Sequence, residues 1–301
     1  MRYSLLSRFQ GGLVGSQIGE ILANYYQGRG ESLSPWSQMG IFTTEQLIRS
    51  GKLTDKDWER IEKRREGFQD LKDSASSSQT ALASLPLAVF FHESHHLLTE
   101  KLRQAADLWQ HPADPWEDVL LWGYAIALAL KEKLEPQRFI AQLLADLATP
   151  RTPLVQQLEQ VQGFLARGTG LEQVVAQLSR QYPPSRTAIA LAFYCFGHAP
   201  EDFRLCVTRA ARCGCQPEIT AALTGALAGV HNSLSGIPAR WRLASFRHPR
   251  ANNCYQKAKS LFAVWSGVYD LNQAELPLSA AIASAGAIQP RPSLQIISQK
   301  E

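Results

Sequence analysis

Apolar residues recur along this chain at spacings of three and four, the period of a helix packed on one side. Residues 138–148 show it plainly: Phe139, Ile140, Leu143, Leu144 and Leu147 share a face, and Pro150 and Pro153 end the run. Residues 154–165, 171–179 and 188–196 repeat the pattern, separated by Gly168, Gly170, Pro183 and Pro184. Residues 118–133 are apolar on nearly every face, which predicts a helix enclosed by other helices. Segments of alternating β-branched residues are almost missing, so negligible sheet content is expected. No repeat of solenoid length is visible. The pattern predicts an all-α protein.

The breaks are equally informative. Residues 27–35, with Gly28, Gly30, Ser32 and Ser34, read as a loop, and residues 72–78 (KDSASSS) as an exposed, low-complexity link. Residues 286–301, with Pro290 and Pro292, read as a loosely packed tail, leaving residues 1–285 as a single compact multi-helix domain. A chain of 301 residues, 45% of them hydrophobic, has enough apolar surface to build that core.

Charge narrows the function classes. A formal net charge of +4 falls short of the clustered basic face that nucleic acid requires, so no nucleic-acid partner is expected. The basic run at 60–65 is interleaved with glutamate at helical spacing, the mark of a solvated face. Arg240, Arg242 and Arg247 are mixed with aromatic residues and form the candidate partner surface. The longest apolar stretch, residues 119–130, is shorter than the about 20 residues needed to cross a bilayer, so no membrane span is expected. Cys195, Cys206, Cys213, Cys215 and Cys254 are an odd count, and no secretory apolar segment is seen at the start. Reduced thiols in the cytoplasm are expected.

The chemistry is concentrated in residues 212–241, RCGCQPEITAALTGALAGVHNSLSGIPARW. Gly214, the small-residue run 221–229, Ile237-Pro238 and Trp241 stand in the frame of a G-G-D-T-D-T turn that opens a helix rich in small residues and is followed by I-P and an aromatic. RFQGGLVG at 8–15 with Gly19-Glu20 fits an R-F-x-G-x-L-x-G…G-D opening. SPWSQM at 34–39, followed by EQLI at 45–48, fits T-D-D-T-Q-M…E-S-L-I. SQTALASLPLA at 78–88 fits G-N-G-A-A-M-R-x-A-P-L-A, and His111-Pro112-Ala113-Asp114 and residues 188–203 keep the same order. In these motifs the chain resembles the ADP-ribosylglycohydrolase family, of the dinitrogenase-reductase-activating glycohydrolase type. The likeness runs from Arg8 to Trp241.

The resemblance implies that family's all-α fold and a site holding two magnesium ions, which orient the ribose diol and activate water at the anomeric carbon. The family's metal-binding aspartates and threonines fall here on Ser34, Pro35, Trp36 and Ser37 and on Gln216, Glu218 and Ile219, with Glu20 replacing an aspartate. Two hard divalent cations need several carboxylates around them, and these positions supply one or two. The resemblance thus implies a degenerate family member: no metal, no cofactor and no catalytic residue, with Glu218 and Glu20 as the acids a surviving hydrolase would use. Glu31, Ser34, Trp36, Ser37, Gln79, Gln216 and Glu218 would line the old pocket, with Trp36 filling part of it, so that an ADP-ribose-like ligand binds weakly. The expected function is regulatory, ligand-sensing or assembling, through a protein partner. An active hydrolase that removes ADP-ribose or a related glycoside is the alternative.

Two further motifs compete for attention. His92-Glu93-Ser94-His95-His96 matches H-E-x-x-H, which on a helix holds zinc between two imidazoles; surface or helix-end histidines are the plainer reading. Cys213-Gly214-Cys215 is half of a structural zinc site, and buried free thiols explain it as well. Trp109, Trp116 and Trp122, near His111, are assigned to core packing rather than to stacking on a ligand.

Overall fold

The computed structural model describes residues 3–267 apart from 31, 69–73, 148–150 and 248. Within them every regular element is a helix, and extended pairing is limited to a bridge between Ala75 and Gln110. The centre is a pair of long helices, α1 (Leu5–Tyr26) and α13 (Pro217–Gly236). Both carry small residues every fourth position, which places them on one helix face. A Cβ on Gly229 would stand 2.0 Å from the Gly11 carbonyl oxygen, one on Gly225 would stand 2.1 Å from that of Gly15, and one on Gly19 would stand 2.0 Å from that of Ala221. The two backbones therefore touch along an antiparallel seam that only hydrogen side chains permit. That seam decides where the site lies, because it sets the end of α1 against the start of α13.

The other helices wrap this pair. α15 (Pro249–Trp265) lies against one side of α1, with α2 (Pro35–Ser50) packed on α15, and α12 (Phe203–Ala211) and α11 (Ala188–His198) lie against α13. α7 (Trp116–Leu130) matches the enclosed helix expected from residues 118–133: every residue from Val119 to Gly123 and from Ala125 to Leu130 is buried. It is packed by α4 (Ser77–Ala83), α5 (Leu85–Phe90) and α6 (His95–Trp109). α8 (Phe139–Leu147), α9 (Pro153–Ala166) and α10 (Leu171–Gln181) fall where the apolar periodicity placed them. α3 (Asp55–Glu66) carries the basic run on a largely solvated face, with Arg65 paired to Glu62, and α14 (Ala239–Arg247) carries the arginine-rich segment.

The segment at 72–78 departs from expectation. Residues 72 and 73 lie outside the described residues, but Ala75, Ser76, Ser77 and Ser78 are buried. Each serine has work inside the protein: the Ser76 hydroxyl caps α4, the Ser77 N–H donates to Asp114 Oδ2 at 3.3 Å, and the Ser78 hydroxyl donates to the Ser185 carbonyl at 3.1 Å. A serine run reads as solvent-exposed by composition, yet small hydroxyls are readily buried once every one finds a partner. The proposed tail at 286–301, and with it the boundary at 285, lies outside the described residues.

Candidate functional site

The site is built where the α1–α13 seam ends. Glu20, in the last third of α1, is 1% exposed. Its carboxylate meets the start of α2: the Ser34 N–H donates to Oε1 at 2.5 Å, and the Ser37 hydroxyl donates to Oε2. Ser34 also caps α2, its hydroxyl accepting from the Ser37 N–H at 3.3 Å, and Pro35 fills the first turn, where a missing N–H costs nothing. Burial pushes the Glu20 carboxyl above the ordinary carboxylate range; the hydrogen bonds from Ser37 and Ser34 oppose this, and the charge of Glu218 adds to it. Ser34, Ser37, Glu20 and Glu218 thus converge, although the last is almost two hundred positions from the first two.

Glu218 lies in the first turn of α13 and is held from the loop after α1. Gln27 donates through Nε2 to Glu218 Oε2 at 3.5 Å, and the Arg29 guanidinium stands 3.8 Å from the same oxygen. Gln216 precedes α13 in a left-handed conformation, φ +40°, and its Oε1 is buried with no hydrogen-bond partner in the protein. Gly214, at φ +72°, makes the tight turn before it. Cys213 and Cys215 flank that glycine as buried free thiols; the Cys213 thiol donates to the Cys215 carbonyl at 3.2 Å, and the Cys215 sulfur lies 3.0 Å from the Thr187 hydroxyl.

The remaining expected site residues are distributed differently. Trp36 is 5% exposed, its ring 6.2 Å from that of Trp109, which in turn lies 6.1 Å from Trp58. Gln79 is occupied in a capping box, its Oε1 accepting from the Ser76 N–H at 2.8 Å. Glu31 and the side chain of Arg247 lie outside the described residues. Arg240 is exposed on α14, and Arg242 is half-buried there. Trp109 and Trp122 are core residues, while Trp116 sits under the Arg103 guanidinium at 5.4 Å.

The H-E-x-x-H reading is corrected. His92 lies in the turn before α6, and only His95 and His96 are on that helix, so no helical face presents two imidazoles at the required spacing. His92 is not a surface residue either. It is 2% exposed, packs on Phe9 and Trp265, and hydrogen-bonds through Nδ1 to the Val89 carbonyl at 2.8 Å. Burial lowers its pKa to about 4. Among the described residues, no three histidines, cysteines or acids are grouped to hold a metal ion.

The contacts of several further residues carried no sequence signal, although Asp114 itself ends the His111-Pro112-Ala113-Asp114 step. Arg29 and Gln27 sit in a segment legible only as a loop. Asp118, in the first turn of α7, is almost fully buried, accepts from the Thr152 hydroxyl at 2.8 Å, and has its pKa raised by burial to about 7. Asp114 is gripped by Arg186 through two nitrogens at 2.6 and 3.0 Å. A carboxylate's partners over such sequence separations leave no local pattern to read.

An all-helical domain whose central, glycine-lined helix pair ends at a group of serine and glutamate side chains is the class of protein these features define. The ADP-ribosylglycohydrolase family model matches residues 1–270, and the chain belongs to that family. Among solved structures it is similar to an ADP-ribosylglycohydrolase-related protein complex, at 17% identity and a TM-score of 0.65, covering 86% of this chain and 98% of that one. That likeness speaks to the fold. No curated protein sequence matches the chain. No helix among the described residues is long and apolar enough to cross a membrane.

Proposed function

We propose that this family member has a dismantled hydrolytic centre and acts without catalysis, as a regulatory, ligand-sensing or assembling protein. The observation that carries this reading is the state of its two acids. Both oxygens of Glu20 are taken by Ser34 and Ser37, and Glu218 is engaged by Gln27 and by the cationic Arg29. A pair of divalent cations needs a surplus of unengaged carboxylate oxygen. Here Pro35 offers no ligand atom, Trp36 is committed to the indole cluster, and a guanidinium already balances Glu218. These residues do not fit a dinuclear magnesium site.

Polar groups around Glu20 and Glu218 would hold an ADP-ribose-like ligand weakly, and the arginine-rich segment of α14, where Arg240 is exposed, is the proposed contact for a protein partner. Five buried free thiols suit the reducing cytoplasm. The test is a thermal melt of the full chain in millimolar magnesium or manganese, paired with calorimetric titration of ADP-ribose. No shift with either metal is expected, and ADP-ribose should bind weakly or not at all. Two metal sites of micromolar affinity would overturn the reading.

One observation favours an active hydrolase as the second reading. Burial raises the pKa of the Glu20 carboxyl, the charge of the more exposed Glu218 adds to that shift, and a buried acid beside a second carboxylate is an arrangement that general acid–base catalysis uses. Release of ADP-ribose from a modified protein, abolished by Glu218→Ala, would establish it in place of the first.

A further inference from the structure

A cavity of about 380 Å³ lies at the other end of the α1–α13 pair, within the size range of small-molecule pockets. Its polar groups come from four separate parts of the chain. Arg8 belongs to the first turns of α1, Glu132 to the turn after α7, Glu201 to the turn between α11 and α12, and His231 to α13. Arg8 and Glu20 stand on one helix about 18 Å apart along its axis, so this cavity is separate from the Glu20 cluster.

The lining has an uneven charge. Among the described residues that form it, two carboxylates stand against one guanidinium. Arg8 is 4% exposed and its terminal nitrogens are engaged by the protein. Nη1 donates to the Leu130 carbonyl at 2.7 Å, and Nη2 donates to the Tyr3 carbonyl at 3.0 Å and pairs with Glu132. The two acids are within reach of solvent, the Glu132 side chain being 31% exposed and that of Glu201 64%. A carboxylate offers about four acceptor sites, so each can serve a ligand besides its contacts within the protein. Glu132 also holds φ at +58°, a position that glycine or asparagine fills with less strain at a helix end. A glutamate there keeps a strained backbone and delivers its carboxylate to the cavity wall.

Tyr3, Ala129, Leu134 and Pro136 add aromatic and apolar surface. An anion entering this space would meet two like charges and a guanidinium already engaged. A cation with N–H donors on a short apolar body matches both parts of the lining. An ammonium head is compact, and its three rotatable donors do not require coplanar acceptors, as a guanidinium fork does.

We propose that this cavity is a binding site for a small primary amine in its ammonium form, its head taken by Glu132 and Glu201 and its apolar part by Leu134 and Pro136. The site stands apart from the reading of the Glu20 centre, and its test involves neither metal nor ADP-ribose.

The probe is n-butylammonium, with 1-butanol as the uncharged control and n-butyrate as the charge-reversed one. Ligand-observed NMR on the full chain at low salt should show saturable binding of butylammonium at about millimolar concentration. Both controls should bind at least about tenfold more weakly. Glu201→Gln, at an exposed side chain, should weaken butylammonium at least about threefold and leave 1-butanol unchanged. The assigned imidazole signal of His231 should shift on titration, while that of His111, beyond the opposite end of α7, should not. No saturable binding of butylammonium, either control binding as tightly, or an unchanged affinity in Glu201→Gln would overturn the proposal. So would a His231 signal that moves no further than that of His111, which would mean that amines pair diffusely with surface carboxylates. Should Glu201→Gln fail to fold, the two histidine signals of the wild-type protein decide the matter alone.

Discussion

Trp36 shows how one substitution changes what a position does. It occupies the second place of α2, in the frame where the family resemblance puts a metal ligand, yet its ring is buried against Trp109. A carboxylate there would point charge at the cleft, whereas an indole contributes apolar area to the core. Trp36→Ala should therefore cost about 3–5 kcal/mol of stability, the range for removing a buried large aromatic, as read from urea unfolding. A loss below about 1 kcal/mol would mean that the ring packs no better than a surface residue. That Pro35, Trp36 and Gln216 are not the aspartates the family resemblance puts at these positions is legible from residue type alone. The replacement chemistry was not, because Arg29 reaches Glu218 from a loop whose conformation no periodicity encodes.

At the scale of elements, helix positions were readable because each buried face repeats with the helical period, as in α8 and α9. The pairing of α1 with α13 was not, since small residues show no amphipathic stripe and their partner lies two hundred residues away. Their role emerges only from the seam, where Gly15 and Gly225 touch backbone to backbone. Gly225→Ala puts a methyl 2.1 Å from the Gly15 carbonyl oxygen, and no side-chain rotation can relieve a clash with main chain. It should destabilise the protein by more than about 3 kcal/mol, whereas Ala226→Gly, one position along, should cost about 1 kcal/mol for helix propensity plus what its buried methyl contributes. Comparable melting temperatures for the two variants would remove the seam from its central place. The turn entering α13 carries the opposite expectation. Gln216 holds φ at +40°, where a side chain costs about 1–2 kcal/mol. Gln216→Gly should leave stability unchanged or raise it by about 1 kcal/mol in the same unfolding measurement.

For the whole molecule, buried ionisable groups in different parts of the fold set opposing responses to pH. His92, with its pKa lowered to about 4 by burial from 6.5, binds a proton in the unfolded chain before the folded one does. Its contribution to stability is present above pH 6.5 and is lost as the pH falls towards 4. Asp118, raised by burial from 3.8 to about 7, does the reverse: the folded protein keeps its proton while the unfolded chain has released it. Stability from Asp118 is therefore full below about pH 4 and declines as pH rises through 7, at a slope of up to about 1.4 kcal/mol per pH unit. Glu20, shifted in the same direction, adds to that decline. Across the shared window the His92 and Asp118 slopes cancel, so the wild-type curve should be flatter than either group alone would make it. Asp118→Asn isolates the second term, since an amide resembles the protonated acid and its oxygen can still accept from Thr152. The variant should match wild type near pH 4, gain on it steadily to pH 7, and hold a constant advantage beyond. Urea midpoints at pH 4, 5.5, 7 and 8 would trace this, and a difference independent of pH would show that Asp118 is ionised in the folded protein and that its burial is offset by partners other than Thr152.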